Sequence, residues 1–193
     1  ISLPSIIRLR TQLGISPGET ETDERVDELI SRWVAESEAW EKVTVLGESP
    51  RSISKAEASQ LLGDAGFIRL KDLRSHQWDS ILKMVNLPNS ANFNVPGAGK
   101  TTALLAVHVI ERAVQGDLRL LVVAPRNVMG AWDDEIKKCL AEPPEIVRLT
   151  GGQNGVTRSL VQQPRVAITT YEQLRSTWHL LLEFAEKNPL HIV

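Results

Sequence analysis

Cysteine, aromatic residues and charge of one sign are all scarce in this chain. Cys139 is its one cysteine, which excludes an internal disulfide and a cysteine-rich zinc site; the thiol reads as a small apolar group on a helix. The histidines at 76, 108, 179 and 191 are scattered, and none stands in a His-x-x-x-His pair beside a carboxylate, so no metal cluster is expected. Lys and Arg number 22 against 24 Asp and Glu, a formal net charge of -2. Such a balance excludes a chain-wide basic footprint for a polyphosphate backbone, and nucleic-acid contact must come from a few local groups. No run reaches the roughly 18 apolar residues of a membrane span. The first ten residues, ISLPSIIRLR, lack the basic-then-apolar layout of a secretory signal. These absences lead us to expect a cytoplasmic protein, or a nuclear one from a eukaryotic source. Internal repeats and low-complexity tracts are missing as well.

What is present suffices for one full domain and a small appendage: 193 residues, 42% of them apolar, can bury about 70% of the surface exposed by the unfolded chain. Residues 1–68 read as a helical N-terminal region. From Glu21 to Val43, Val26, Leu29, Ile30, Trp33, Val34 and Trp40 recur near the helical period, with acidic residues crowding the first turns. Ser54-Lys55-Ala56-Glu57 has the form of a capping box opening a short helix. After Gly66-Phe67 the character changes. Helices are expected over 75–85, 101–115, 127–140, 155–163 and 171–187. They alternate with the apolar runs LRLLVVAP, EIVRLT, VAITT and LHIV. Strands alternating with helices imply βαβ units, hence an α/β fold with a mostly parallel, doubly wound sheet over residues 69–193.

The stretch NVPGAGKTT, residues 94–102, carries the chemistry. Phosphates require donors and positive charge without side-chain bulk. A glycine-rich turn opening a helix supplies backbone N–H groups and the positive end of the helix dipole. Gly97 and Gly99 provide backbone freedom around Ala98, Lys100 the charge for terminal phosphates, and Thr101 a hydroxyl for Mg²⁺, with Thr102 next in line. The Gly-Lys-Thr tripeptide alone is common; its place between an expected apolar strand and a helix makes the site. Asn94 stands where the usual pattern has its first glycine. ATP and Mg²⁺ are the expected cofactors, with Lys100 and Thr101 as the catalytic pair.

Further segments in the same order carry a family resemblance. LRSHQ (73–77) resembles the Leu-Arg-x-x-Gln element ahead of the phosphate loop in Swi/Snf-like DNA translocases of helicase superfamily two. Asn94 falls where those proteins commonly have Asp. LLVVAPRNVMGAWDDEI (120–136), with Trp132 and Glu135, is similar to motif Ia, VRLTGG (147–152) to a strand and turn near DNA phosphates, and VAITTYEQLR (166–175) to motif Ib. The resemblance implies a first RecA-like lobe over 69–193, Gln77 reading the adenine edge, and Arg126, Gly151, Gly152, Thr169 and Thr170 contacting DNA. Duplex DNA and a second RecA-like lobe are the implied partners. The sequence ends at Val193, ahead of the family's Asp-Glu-x-His. It therefore reads as the front part of a larger ATP hydrolase, inactive by itself. NVPGAGKTT beside SANF is similar to prokaryotic members of restriction and antiphage loci.

Two other readings fit the same residues. One is a P-loop ATPase of another class that never touches nucleic acid, which the acidic balance favours. The other is a non-catalytic fragment whose 21–43 helix binds a protein partner through Trp33 and Trp40. Ordinary structural roles also compete at single positions: Trp132 as a core anchor, Arg126 as a solvated charge, Tyr171 as a helix start and Gly151-Gly152 as a tight turn.

Overall fold

The computed structural model describes residues 51–87 and 90–193, together with Ser31, Val34 and Ala35. Those three are helical; the rest of the helix expected over 21–43 lies outside the described residues, Trp33 and Trp40 included. Contacts divide the chain into one unit over Ile1–Pro50 and another over Arg51–Val193. The second unit runs α1 (Lys55–Asp64), α2 (Ser75–Asn86), α3 (Lys100–Gln115), β1 (Arg119–Val123), α4 (Met129–Cys139), β2 (Ile146–Arg148), α5 (Gly152–Val161), β3 (Val166–Thr169), α6 (Tyr171–Lys187) and β4 (Leu190–Ile192). Short 3₁₀ turns lie at Leu70–Asp72 and Arg126–Val128.

The four strands form one sheet in the order β2-β3-β1-β4, and every pairing is parallel. Parallel neighbours require crossover connections, which the helices supply. Leu120 lies opposite Val166, and Val166 opposite Ile146, so apolar side chains stand in rows across the sheet. Alternate residues face opposite sides. Leu120, Val122, Val166 and Ile168 pack with α1 to α4, whereas Leu121 and Ala167 meet Val156 and Leu160 of α5 and Leu181 and Phe184 of α6. Both faces are therefore covered, which is why RLLVV at 119–123 is an unbroken apolar run after its arginine. This is the α/β sheet expected from the sequence, consistent with a Rossmann- or RecA-like core.

Residues 51–68, expected in the helical N-terminal region, pack with the α/β unit. Ala58 and Leu62 of α1 and Phe67 lie in the same buried cluster as Ile110 and Leu120, and Ile68 N–H donates to the Cys139 carbonyl at 2.8 Å. Apolar burial thus assigns 51–68 to the α/β unit, and the division falls at Pro50/Arg51 rather than after residue 68. The capping box does form: Ser54 Oγ accepts from Glu57 N–H at 3.2 Å, and Glu57 Oε2 accepts from Ser54 N–H at 2.8 Å. That backbone bond holds the Glu57 carboxyl below its ordinary range. Helix α5 begins at Gly152, three residues earlier than expected, and α4 at Met129, after the 3₁₀ turn. Among the described residues, no helix is long and apolar enough to cross a membrane.

His108 of α3 lies buried beside His191 of β4, their Nδ1 atoms 3.4 Å apart. Burial first, then the His191 and Arg112 charges, bring its pKa down from 6.5 to about 3. Folded chains therefore keep His108 neutral where unfolded chains protonate it. Its stabilising contribution is complete above pH 6.5 and is lost as pH falls toward 3. The slope from this residue should approach about 1.4 kcal/mol per pH unit in that window. Urea midpoints at pH 4, 5, 6 and 7 should show a shallower acid slope in His108→Gln than in wild type.

Candidate functional site: a glycine-rich loop held by a helix

The loop at 94–100 folds as its residue types dictate. Ala98 N–H donates to the Val95 carbonyl at 3.2 Å, with Pro96 and Gly97 between them and Gly97 at φ +81°, the pattern of a type II turn. Gly99, at φ +75° and ψ +36°, is left-handed at the N-cap of α3, and no side chain caps that helix. Its leading N–H groups and dipole thus face the loop. Lys100 Nζ folds across the turn to donate to the Asn94 carbonyl at 2.7 Å and the Val95 carbonyl at 3.4 Å. Thr101 follows it, half-buried, in the first helical turn.

The apolar strand expected ahead of the loop does not form: residues 90–95 are irregular. With Asn at 92 and 94 and Phe93 and Val95 exposed, the segment has no apolar face to bury in the sheet. Helix α2 holds the loop instead. Asn94 Nδ2 donates to Ser80 Oγ at 2.8 Å, and Asn94 N–H donates to Asn92 Oδ1 at 3.1 Å. His76 Nε2 sits 3.1 Å from the Ala98 carbonyl. Gln77 is buried; its Oε1 accepts from Arg74 N–H at 3.0 Å and its Nε2 donates to the Gly99 carbonyl at 3.3 Å. Asn94 therefore does what glycine at that position could not, since its side chain fastens the loop to α2.

Thr102, expected beside the cofactor, turns the other way. Its buried hydroxyl bonds to Glu135 Oε1 of α4. The same oxygen accepts from Arg69 Nη1 at 3.1 Å and lies 3.6 Å from Cys139 Sγ. Burial, reinforced by the Glu135 carboxylate, pushes the Cys139 thiol up to about 12, so it remains protonated. Glu135 was legible only as part of a motif beside Trp132; its role as a hub depends on helix packing that spacing does not reveal. Trp132 itself is buried in the core.

The residues expected at nucleic acid follow the carboxyl ends of β1, β2 and β3, the edge at which open α/β sheets bind ligands. Arg126 is exposed in the 3₁₀ turn after β1. The Glu172 carboxyl is held below its ordinary range by its own backbone amide, then the Thr170 hydroxyl and the Arg126 charge. Gly151 and Gly152, at φ +81° and +63°, start α5 after β2; Gly152 N–H donates to Gln173 Oε1 at 3.4 Å. Thr169 is fully buried, its Oγ1 without a partner. The Thr170 hydroxyl caps α6, accepting Gln173 N–H at 3.1 Å. Their side chains point into the fold, so this pair offers a ligand little beyond backbone.

Among the described residues, no group of three His, Cys, Asp or Glu side chains could hold a metal ion. A cavity of about 660 Å³ is lined by Arg112, Gly116, Leu120, Arg165 and Val166. These residues begin strands or end α3, so it lies at the opposite sheet edge and shares no residue with the loop. No protein-family model matches the chain, and no curated protein matches it significantly.

A Cβ at Gly99 would sit 2.3 Å from Gln77 Nε2, whereas one at Gly97 would meet nothing within 4 Å. Gly99→Ala should therefore cost about 1–3 kcal/mol from left-handed strain and overpacking. Gly97→Ala should cost nearer 1 kcal/mol, from backbone strain alone. Urea denaturation of both variants checks the ranking; equal losses would mean that Gln77 moves aside freely.

Proposed function

We propose that the α/β unit is the ATP-binding part of an ATP-dependent duplex-DNA translocase resembling the Swi/Snf-like helicases, with 69–193 serving as most of a first RecA-like lobe. One observation carries this reading: a turn with two left-handed glycines runs into an uncapped helix whose first residue is Lys100. Backbone N–H groups of Gly97, Gly99 and Lys100 would meet the phosphates. The Lys100 ammonium would exchange its two carbonyl partners for terminal phosphate oxygens. Thr101 presents the hard oxygen donor that Mg²⁺ prefers, and Mg²⁺ when bound supplies charge neutralisation at the β- and γ-phosphates. Catalysis of this kind rests on positioning and electrostatics more than on covalent chemistry. A second lobe of the same polypeptide would close over the nucleotide and share the DNA track, with Arg126 and the Gly151-Gly152 turn facing phosphates.

The inward-turned side chains of Thr169 and Thr170, with a net charge of -2, favour a second reading, a P-loop ATPase that does not act on nucleic acid. Phosphate release from Mg-ATP by a polypeptide carrying both lobes, measured with and without duplex DNA, separates the two. Stimulation by DNA supports the translocase; equal rates support the rival.

Lys100→Ala should weaken Mg-ATP binding roughly 10- to 100-fold, the worth of a charged hydrogen-bond donor. Isothermal titration checks this, and unchanged affinity would remove the loop from the site. Arg126→Ala should weaken DNA binding and make the dependence of log affinity on log salt shallower by about one. An unaltered slope in a fluorescence-anisotropy titration would return Arg126 to the solvated surface.

A further inference from the structure

We infer that Gln77 positions the phosphate loop and does not read the base, so that the site selects nucleoside triphosphates by their phosphates and accepts guanine as well as adenine. The inference rests on the phosphate-loop reading above and refines its ligand class.

A carboxamide recognises adenine by donating to N7 and accepting from the N6 amino group. In this chain both ends are already committed within the protein. Oε1 accepts the N–H of Arg74, the N-cap of α2, and Nε2 donates to the carbonyl of Gly99, the N-cap of α3. One side chain thus joins two helix N-termini. The third position of a helix is where a glutamine reaches back to its own N-cap. That local rule accounts for Arg-x-x-Gln at 74–77 without a nucleotide. Gln77 as a residue is 8% exposed, so little of it reaches solvent. Contact with the loop is close enough that a Cβ on Gly99 would collide with Nε2. Swinging the carboxamide to a base edge would strand the Arg74 N–H and the Gly99 carbonyl together and release the left-handed residue that opens the cradle. Recognition of a base would undo recognition of its phosphates.

The test is equilibrium binding, with Mg²⁺, of ATP, GTP and inorganic tripolyphosphate to wild type, Gln77→Ala, Gln77→Met and Lys100→Ala. The Met variant fills the same volume without the polar ends, so it reports even if the Ala variant fails to fold. ATP and GTP should bind wild type within about threefold. The Gln77 variants should weaken all three ligands by one common factor of roughly tenfold, since tripolyphosphate has no base to lose. A wild-type preference for ATP above tenfold, abolished by Gln77→Met with tripolyphosphate unaffected, would overturn the inference while leaving the phosphate loop intact. Binding of all three ligands that ignores Lys100→Ala, or no binding to wild type, would overturn the phosphate-loop reading and the inference with it.

Discussion

The carboxamide of Gln77 lies between the Arg74 N–H and the Gly99 carbonyl, and the candidate site is arranged around that bridge. Gly99 is the point at which the chain must turn left-handed before α3 can begin, a conformation with no side chain of its own to stabilise it. An isolated loop would sample many other states, because glycine populates both signs of φ. Packing against a buried amide selects one of them. The neighbouring contacts from His76 and Ser80 extend the same clamp along α2 to Ala98 and Asn94. A helix therefore supplies the rigidity that a strand entering the loop would otherwise give.

On its far side the first turn of α3 is held by a different kind of contact. Glu135 receives Thr102 and Arg69 at a single carboxylate oxygen, joining α3, α4 and the segment leading to α2. Half-buried polar hubs of this sort strengthen when every member is satisfied and weaken the fold when one is missing. The two anchors act at different depths. Gln77 sets the backbone conformation of the loop, whereas Glu135 sets where its helix lies against the core. Lys100 lies between the two anchors in sequence and reaches neither, donating instead to the Asn94 and Val95 carbonyls.

The sheet places these features by topology. Helix α3 leads through Gly116 into β1, so the chain reverses and the helix start lies toward the carboxyl ends of the strands. Arg126, the Gly151-Gly152 turn and Thr170 follow β1, β2 and β3 at those ends. A parallel sheet gathers there what is dispersed in sequence over more than 70 positions. The same geometry separates this edge from the cavity beside Arg112 and Arg165.

Much of this was legible from residue order, and the parts that were not have a common cause. Apolar runs at 119–123 and 166–169 announced their strands because burial on both faces demands near-continuous apolar character, while the shorter strands at 146–148 and 190–192 form the half-exposed edges. The Ser54 and Glu57 cap and the glycines of the loop were equally plain, since capping and left-handed turns are satisfied within a few residues. Partners distant in sequence were hidden. The Asn94 amide could turn to a strand or to Ser80, and Thr102 could face a phosphate or Glu135. Thr169 and Thr170 could equally lie on a surface or beneath one, and Gln77 could serve a base or a backbone. By itself the sequence determined the alternation of elements and the glycine-rich turn ahead of α3, because periodicity and conformational preference act locally. Tertiary structure decided which polar side chains remain free for a ligand, because each finds its hydrogen-bond partner only when separate helices are brought together.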